Sequence, residues 1–151
     1  MAETYSPAQL APMNVLLDTG PLVALLDRSE PDHDQVQSFI ARLGGLRLIT
    51  TGAVITEAFY FLSDVRDGPA KLAAFIDASA TDLRNAFSAD ALAAAVSLMN
   101  KYADVPMDFP HATLVWAAES SGTDTILTLD RRGFSSFRFG KNRRFKLLLD
   151  F

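Results

Sequence analysis

Two aspartates directly follow predicted strands, a position at which α/β proteins build chemical sites. Asp18 follows the apolar run 15–17, and Asp130 follows the β-prone run 125–129. Both runs are typical of buried strands, and the carboxyl ends of parallel strands meet at one edge of a sheet. We therefore expect Asp18 and Asp130 to lie close together. A strand-end aspartate can also serve only to cap the next helix or turn, and that alternative stays open for each.

Glu57 is the third candidate acid. It lies in the apolar segment 53–65, which predicts a helix, and its neighbours one turn away are Val54, Tyr60 and Phe61. A carboxylate among apolar side chains is costly unless it is paired, hydrogen-bonded or bound to a cation. Glu57 therefore either contributes to a cation site or lies on a narrow polar stripe of this helix.

The segment 106–111, PMDFPH, holds the fourth acid, Asp108, and a histidine three residues later. Proline is tolerated in the first turn of a helix only, so Pro110 places Asp108 at a helix start. Asp108 either caps this helix or binds a ligand. His111 shares a face with Asp108 if the first turn is regular, and it is either a ligand or a hydrogen-bonding surface residue.

These donor types favour a hard divalent cation. The chain has no cysteine and only two histidines, which are not at zinc spacing. Oxygen ligands select Mg²⁺ or Mn²⁺, and such ions activate a water and neutralise charge on a scissile phosphate. The residues thus indicate metal-dependent phosphoryl chemistry. A phosphatase of the haloacid dehalogenase type would need an Asp-x-Asp pattern, whereas position 20 is glycine.

A single α/β domain has to position these side chains. The chain has 151 residues, 49 % of them hydrophobic, which suffices for one domain with a core. Strand and helix patterns alternate as β-α-α-β-α-α-α-α-β-(β), which predicts a mainly parallel central sheet with helices on both faces. Strands are predicted at 15–17, 46–49, 125–129, near 137 and at 145–149, helices from 21 to 26 and at 32–43, 53–65, 70–80, 90–102 and 111–119, and a short strand or turn at 82–88.

The N-terminal residues predict no targeting segment. Residues 1–12 have neither a basic start nor an apolar run, so we expect a flexible extension there, followed by a single domain at residues 13–151. No apolar run approaches the roughly 18 residues of a membrane span. Together with the absence of cysteines, these features predict a cytoplasmic protein without a membrane segment.

Basic residues are concentrated at the C-terminal end, although the formal net charge of the chain is −4. Residues 131–151 carry seven of the 14 lysines and arginines and one acid, whereas residues 1–130 carry seven bases and 17 acids. This segment is either a solvated hairpin or a surface that contacts a phosphate backbone.

Four motifs, in this order and spacing, resemble those of PIN domains: DTGPLVALLD, TEAFYFL, PMDFPHATLVWAAE and TILTLDRRGFSSFR. The resemblance is strongest to VapC-type toxins of bacterial toxin–antitoxin pairs and extends over about residues 13–150. It implies a three-layer α/β/α sandwich and a ribonuclease that depends on Mg²⁺ or Mn²⁺. It also implies a type II toxin whose antitoxin occupies an apolar groove, and a homodimer.

The resemblance also implies roles for single residues. Asp18 matches the first metal-binding aspartate of the family, Glu57 matches its helical glutamate, and Asp130 matches its last acid. Glu57 and Asp130 are expected to bind the metal directly or through water. The basic residues Arg131, Arg132 and Arg143 are expected to attract RNA.

The third acid of the family normally begins a D-A-x-hydrophobic helix, and here that position is His111. Two explanations stay open. Asp108, three residues earlier, takes over as the oxygen ligand, with His111 binding the metal or the substrate. Alternatively, the site is altered and its activity is weak or lost, which would make the chain a non-catalytic PIN-like module that binds RNA or a protein.

Overall fold

The computed structural model describes residues 13–149, so the predicted N-terminal extension lies outside the described residues. In this part of the chain the strands are β1 Met13–Leu17, β2 Leu46–Thr51, β3 Asp82–Arg84, β4 Thr125–Leu127, β5 Arg138–Phe139, β6 Arg143–Arg144 and β7 Lys146–Leu147. The central sheet has the order β3-β2-β1-β4-β7, and each of its neighbouring pairs is parallel. Strands β5 and β6 form a separate antiparallel hairpin.

Helices flank this sheet, as the alternation of strand and helix patterns predicts. Their bounds are α1 Thr19–Leu26, α2 His33–Arg42, α3 Gly52–Phe61, α4 Gly68–Ala78, α5 Ala89–Lys101, α6 Phe109–Ser121 and α7 Arg131–Ser136. The central strand β1 is buried from Val15 to Leu17 without alternation, as expected for a parallel sheet covered on both faces. Within residues 13–149, no helix has both the length and the apolar character to cross a bilayer.

The segment after Asp130 differs from the prediction, which has no helix there. Helix α7 begins directly after Asp130, because the Asp130 carboxylate accepts a hydrogen bond from the Gly133 N–H at 3.0 Å and caps it. A six-residue helix is too short to reveal itself by apolar periodicity. The predicted strand near Phe137 follows as β5, and the predicted final edge strand is confirmed as β7.

Strand β2 runs on to Thr51 instead of ending at residue 49, because the hydroxyls of Thr50 and Thr51 find buried partners. The Thr50 hydroxyl donates to the Leu17 carbonyl at 2.7 Å, and the Thr51 hydroxyl lies 2.7 Å from that of Thr113. These bonds tie the carboxyl end of β2 to β1 and to α6. They hold the elements that carry the candidate acids in one fixed arrangement.

An aromatic cluster of Phe134, Phe137 and Phe145 packs in the core. Phe134 is fully buried on α7, and its ring centroid lies 5.2 Å from that of Phe137 and 5.3 Å from that of Phe145. Both pairs are edge-to-face, the geometry that aromatic rings prefer. The cluster therefore anchors the segment 130–137 in the core.

Candidate functional site

Asp18 is buried at the carboxyl end of β1, where the chain turns into α1. Its Oδ1 accepts a hydrogen bond from the Thr19 N–H at 2.8 Å, and its Oδ2 accepts one from the Thr128 hydroxyl at 2.7 Å. The first bond caps α1. Asp18 can therefore cap α1 with one carboxylate oxygen and contribute the other to a site.

Thr128 links Asp18 to the second strand-end acid. Its hydroxyl donates to Asp18 and also accepts a hydrogen bond from the backbone N–H of Asp130 at 3.0 Å. The side chain of Asp130 is 34 % exposed, so this carboxylate reaches the surface while that of Asp18 does not. Asp18 and Asp130 therefore lie close together, as expected, and the Thr128 hydroxyl bridges the Asp18 carboxylate and the Asp130 backbone N–H.

Asp108 caps helix α6, as Pro110 predicts. Its Oδ1 accepts a hydrogen bond from the His111 N–H at 2.9 Å, and the side chain is 54 % exposed. The capping bond fixes the carboxylate beside the first turn of the helix. Asp108 and His111 consequently share a face, as expected for a regular first turn.

The imidazole of His111 lies between the three aspartates. Its Nε2 is 3.2 Å from Asp18 Oδ2, and its Nδ1 is 3.5 Å from both Asp108 Oδ1 and Asp130 Oδ2. The ring also packs edge-to-face on Phe134, with the centroids 5.2 Å apart. Of the five candidates for a metal site, the structure therefore brings together His111 and the three aspartates, with His111 in the centre.

The environment of His111 favours its charged form. Burial lowers the pKa of an imidazole, but the hydrogen bond and the charge of Asp18, with the charges of Asp108 and Asp130, outweigh it and raise the pKa of His111 to about 9. At neutral pH the ring is therefore an imidazolium.

This pKa predicts a pH dependence of stability. An imidazole whose folded-state pKa lies above its unfolded value of about 6.5 stabilises the fold fully below that value. The contribution is lost as the pH rises through about 9. We expect the free energy of unfolding, measured with urea at a series of pH values, to fall between about pH 6.5 and 9. In His111→Gln this fall should be absent, and an equally steep fall in that variant would contradict the assignment.

Glu57 makes no hydrogen bond or ion pair with this cluster. It lies on α3 and is half-buried, and its side chain has no hydrogen bond or ion pair among residues 13–149. Its helix neighbours Tyr60 and Phe61 are 75 % and 54 % exposed, so they do not desolvate it. The apolar neighbours of Glu57 therefore do not force it to find a cation in this structure.

The cluster fits a hard divalent cation in the chemistry of its donors, since three carboxylates surround one imidazole ring. Next to Asp18, the Thr19 hydroxyl is buried and has no hydrogen-bond partner within the described range, which leaves an unsatisfied oxygen at this junction. The arrangement of the donors does not form a finished metal site. Within residues 13–149, no group of three or more His, Cys, Asp or Glu side chains is placed to hold a metal ion.

The sequence alone did not predict two positioning residues, Thr128 and Gly133. Thr128 is a hydroxyl in the run TILTL, and only its polarity at the end of a buried strand hints at its bond with Asp18. Gly133 lies three residues after Asp130, and a Cβ at this position would collide with the Asp130 carboxylate. The signal for Gly133 is the capping pattern D-x-x-G at a strand end.

The predicted basic residues lie on α7 and on the hairpin β5–β6. Arg131 and Arg132 are exposed in the first turn of α7, directly after Asp130. Arg143 is exposed on β6, with its guanidinium 4.9 Å above the Phe139 ring and 3.3 Å from Asp124 Oδ2. Arg131 and Arg132 are therefore the cations next to the acidic cluster along the chain.

Comparisons with known proteins agree with these features. The family model described as PIN domain matches residues 15–140. The chain is 32 % identical over 126 residues to Ribonuclease VapC26 of Mycobacterium tuberculosis, and the aligned part covers 82 % of this chain and 92 % of that protein.

Two solved structures share the fold at low sequence identity. VapC20 of Mycobacterium tuberculosis, a toxin that cleaves the sarcin-ricin loop, has a TM-score of 0.69 at 17 % identity, covering 78 % of this chain and 90 % of that chain. VapBC2 of Rickettsia felis, bound to a DNA fragment from its promoter, has a TM-score of 0.62 at 16 % identity, covering 89 % of this chain and 98 % of that chain.

Proposed function

From the premise that the chain belongs to the PIN domain family and is of the VapC type, we propose that it is a ribonuclease and the toxin of a type II toxin–antitoxin pair. The observation that carries this proposal is the convergence of Asp18, Asp108 and Asp130 at the carboxyl edge of the parallel sheet. The similarity to a relative named a ribonuclease favours catalysis over a non-catalytic binding module.

The proposed active site contains Asp18, Glu57, Asp108 and Asp130. Asp18 and Asp108 would hold Mg²⁺ or Mn²⁺, while Glu57 and Asp130 would act directly or through water. When bound, such an ion supplies Lewis-acid stabilisation of charge on the phosphate and a more acidic water. Three carboxylates from separate elements, all in contact with the same imidazole ring, support a cation site here.

The chain itself prepares this site for an anionic substrate. The N-termini of α1 and α6 begin at Asp18 and Asp108, so the positive ends of two helix dipoles lie at the cluster. The hydrogen bonds from Thr19 and Thr128 fix the orientation of the Asp18 carboxylate. Arg131 and Arg132 add positive charge beside Asp130, where they would hold the RNA backbone.

Cleavage of a labelled RNA panel with Mg²⁺ or Mn²⁺, and with EDTA as a control, tests the proposed function. We expect metal-dependent products from at least one structured RNA, because hydrolysis of a phosphodiester bond needs charge neutralisation at phosphorus. Intact RNA at every metal concentration, from a preparation that is folded by circular dichroism, would contradict the proposal.

Gly133→Ala should impair cleavage without touching an acid. The added Cβ would collide with the Asp130 carboxylate and press against the Phe137 ring, so the carboxylate has to move. We expect the rate to fall by roughly a hundredfold, the scale seen when a catalytic group is misplaced by about 1 Å. Gly44→Ala is the matched control, since a Cβ there meets no atom within 4 Å. Equal rates in the two variants would contradict the role given to Gly133.

Arg132→Ala should weaken RNA binding rather than the chemical step. Arg132 is exposed in the first turn of α7, and loss of one phosphate contact weakens binding evenly across RNA sequences. In a filter-binding series at increasing salt, the slope of log affinity against log salt should decrease by about 1. Lys71→Ala on the exposed face of α4 should leave the slope unchanged. An unchanged slope in Arg132→Ala would place RNA elsewhere.

We also propose that an antitoxin covers an apolar groove between α3 and α4. The groove has a volume of about 320 Å³ and is lined by Ile55, Phe59, Leu72, Ala73, Ile76 and Asp77. Phe59 in its lining is 38 % exposed, and Tyr60 and Phe61, the next residues of α3, are 75 % and 54 % exposed. Contiguous exposed apolar surface marks sites of protein–protein contact. The similarity to VapBC2 supports an antitoxin partner. Co-expression with the neighbouring open reading frame tests this proposal, and failure of that product to co-purify would contradict it.

A second exposed apolar set lies on β3, α5 and the loop between them: Leu83, Phe87, Leu92 and Val96. We propose that a second copy of the chain covers part of this surface and that the protein is a cytoplasmic homodimer. The mass in solution, measured by light scattering, should be twice the 16.4 kDa of one chain. A mass of one chain at micromolar concentration would contradict the dimer.

A further inference from the structure

The ring of His111 lies between Asp18 on one side and Asp108 and Asp130 on the other. Both ring nitrogens face carboxylate oxygens: Nε2 faces Asp18 at 3.2 Å, and Nδ1 faces Asp108 and Asp130 at 3.5 Å. The three carboxylates come from three separate junctions of the chain, and the ring is the group that they share.

The surroundings hold the ring in this position. Its side chain is only 16 % exposed, and its faces meet the aromatic cluster, with centroid distances of 5.2 Å to Phe134 and 6.3 Å to Phe137. Its backbone N–H is bound by the Asp108 carboxylate. The ring is therefore a packed part of the site and not a loose surface side chain.

Without this ring, the three carboxylates would lie near one another with no side chain between them. Carboxylates that share a site repel, and the repulsion is strong where water is partly excluded. The backbone N–H groups of Thr19 and Gly133 satisfy one oxygen each of Asp18 and Asp130. The ring is thus the side chain that contacts all three carboxylates.

We propose that His111 competes with a divalent cation at this site: its ring lies between Asp18, Asp108 and Asp130, and the ion has to displace the ring to reach them. The inference rests on the metal site of the proposed function. The test of this inference measures metal binding in the absence of RNA. Failure of RNA cleavage therefore does not decide this inference, and failure of this inference does not decide RNA cleavage.

Calorimetric titration with Mn²⁺ tests the competition. His111→Ala removes the ring and adds no donor, and we expect it to bind Mn²⁺ at least about tenfold more tightly than the wild-type chain, within the usual range of coupling between two sites. His111→Asp adds a carboxylate and should bind more tightly still. Weaker binding by His111→Ala would mean that the ring is a ligand, and equal binding would mean that ring and ion do not compete. Either result overturns the proposal.

Thermal unfolding gives a second measurement. Without metal, His111→Ala should unfold at a lower temperature than the wild-type chain, because its three carboxylates lose the ring that lies between them. Mn²⁺ should raise the unfolding temperature of this variant more than that of the wild type, since an ion that binds the folded state stabilises it. His33→Ala is the matched control: its ring bonds the Ala24 carbonyl at 2.7 Å, so its loss destabilises the fold without changing the response to Mn²⁺. The same response in both variants would overturn the proposal.

A measurement on the wild-type chain covers the case in which His111→Ala does not fold. The chain has two histidines, so selective ¹⁵N labelling of their rings gives two sets of signals. We expect Mg²⁺ to shift the His111 signals and to leave those of His33 in place. Unchanged His111 signals at a Mg²⁺ concentration that saturates binding in a matching calorimetric titration with Mg²⁺ would overturn the proposal.

Discussion

Asp18→Asn is expected to lower RNA cleavage by at least about a hundredfold, the scale for loss of one group that stabilises charge in a transition state. Asparagine is as good a helix cap as aspartate, so the bond to the Thr19 N–H is retained and α1 still begins at this residue. The charge is lost, and with it the ion pair to His111 and the negative donor for a cation. The variant should therefore remain folded and be inactive.

The comparison needs a carboxylate outside the site. Asp90 is exposed in the first turn of α5, and Asp90→Asn changes the charge of the chain by the same amount. We expect this control to cleave RNA at the wild-type rate, with matching circular dichroism spectra for all three proteins. Wild-type activity in Asp18→Asn would show that the cleavage comes from another site or from a contaminant.

Phe134→Ala is expected to cause the largest loss of stability, about 3–5 kcal/mol of the free energy of unfolding, as for other phenylalanines truncated in a core. The Phe134 ring is fully buried and makes edge-to-face contacts with His111, Phe137 and Phe145. Its removal leaves a cavity directly below the site. The effect should be read from urea unfolding.

Phe61→Ala makes the matched truncation on the surface. Phe61 is 54 % exposed on α3, and its one aromatic contact among the described residues is with Tyr60. We expect it to change the free energy of unfolding by about 1 kcal/mol or less. Similar losses in both variants would mean that Phe134 is not a central part of the core.

Sequence reasoning located the acidic cluster because it depends on local rules. A buried strand that ends in aspartate predicts the positions of Asp18 and Asp130, and a proline in the first turn predicts that of Asp108. The apolar helix pattern around Glu57 made it a further candidate, and the resemblance to PIN domains marked His111 as a departure from the family pattern. The parallel sheet followed from the alternation of strand and helix patterns, and the structure confirms it.

The features that escaped prediction depend on contacts between distant residues. The bond from Thr128 to Asp18 spans 110 positions, and nothing in the sequence near Thr128 specifies its partner. The direction in which the His111 ring points is decided by three elements at once. The surroundings of Glu57 depend on which face of α3 is covered, and the apolar neighbours Tyr60 and Phe61 are exposed instead of buried.

The order of strands in the sheet has a consequence for synthesis of the protein. The first strand, β1, lies in the middle of the sheet and pairs with β4, which in turn pairs with β7 at Lys146–Leu147. Thr128, which hydrogen-bonds Asp18, is therefore made 110 residues after it, and such long-range pairing closes late in folding. A nascent chain still short of β4 holds no assembled acidic cluster. The site proposed to cleave RNA therefore cannot form until β4 and Asp130 have been made.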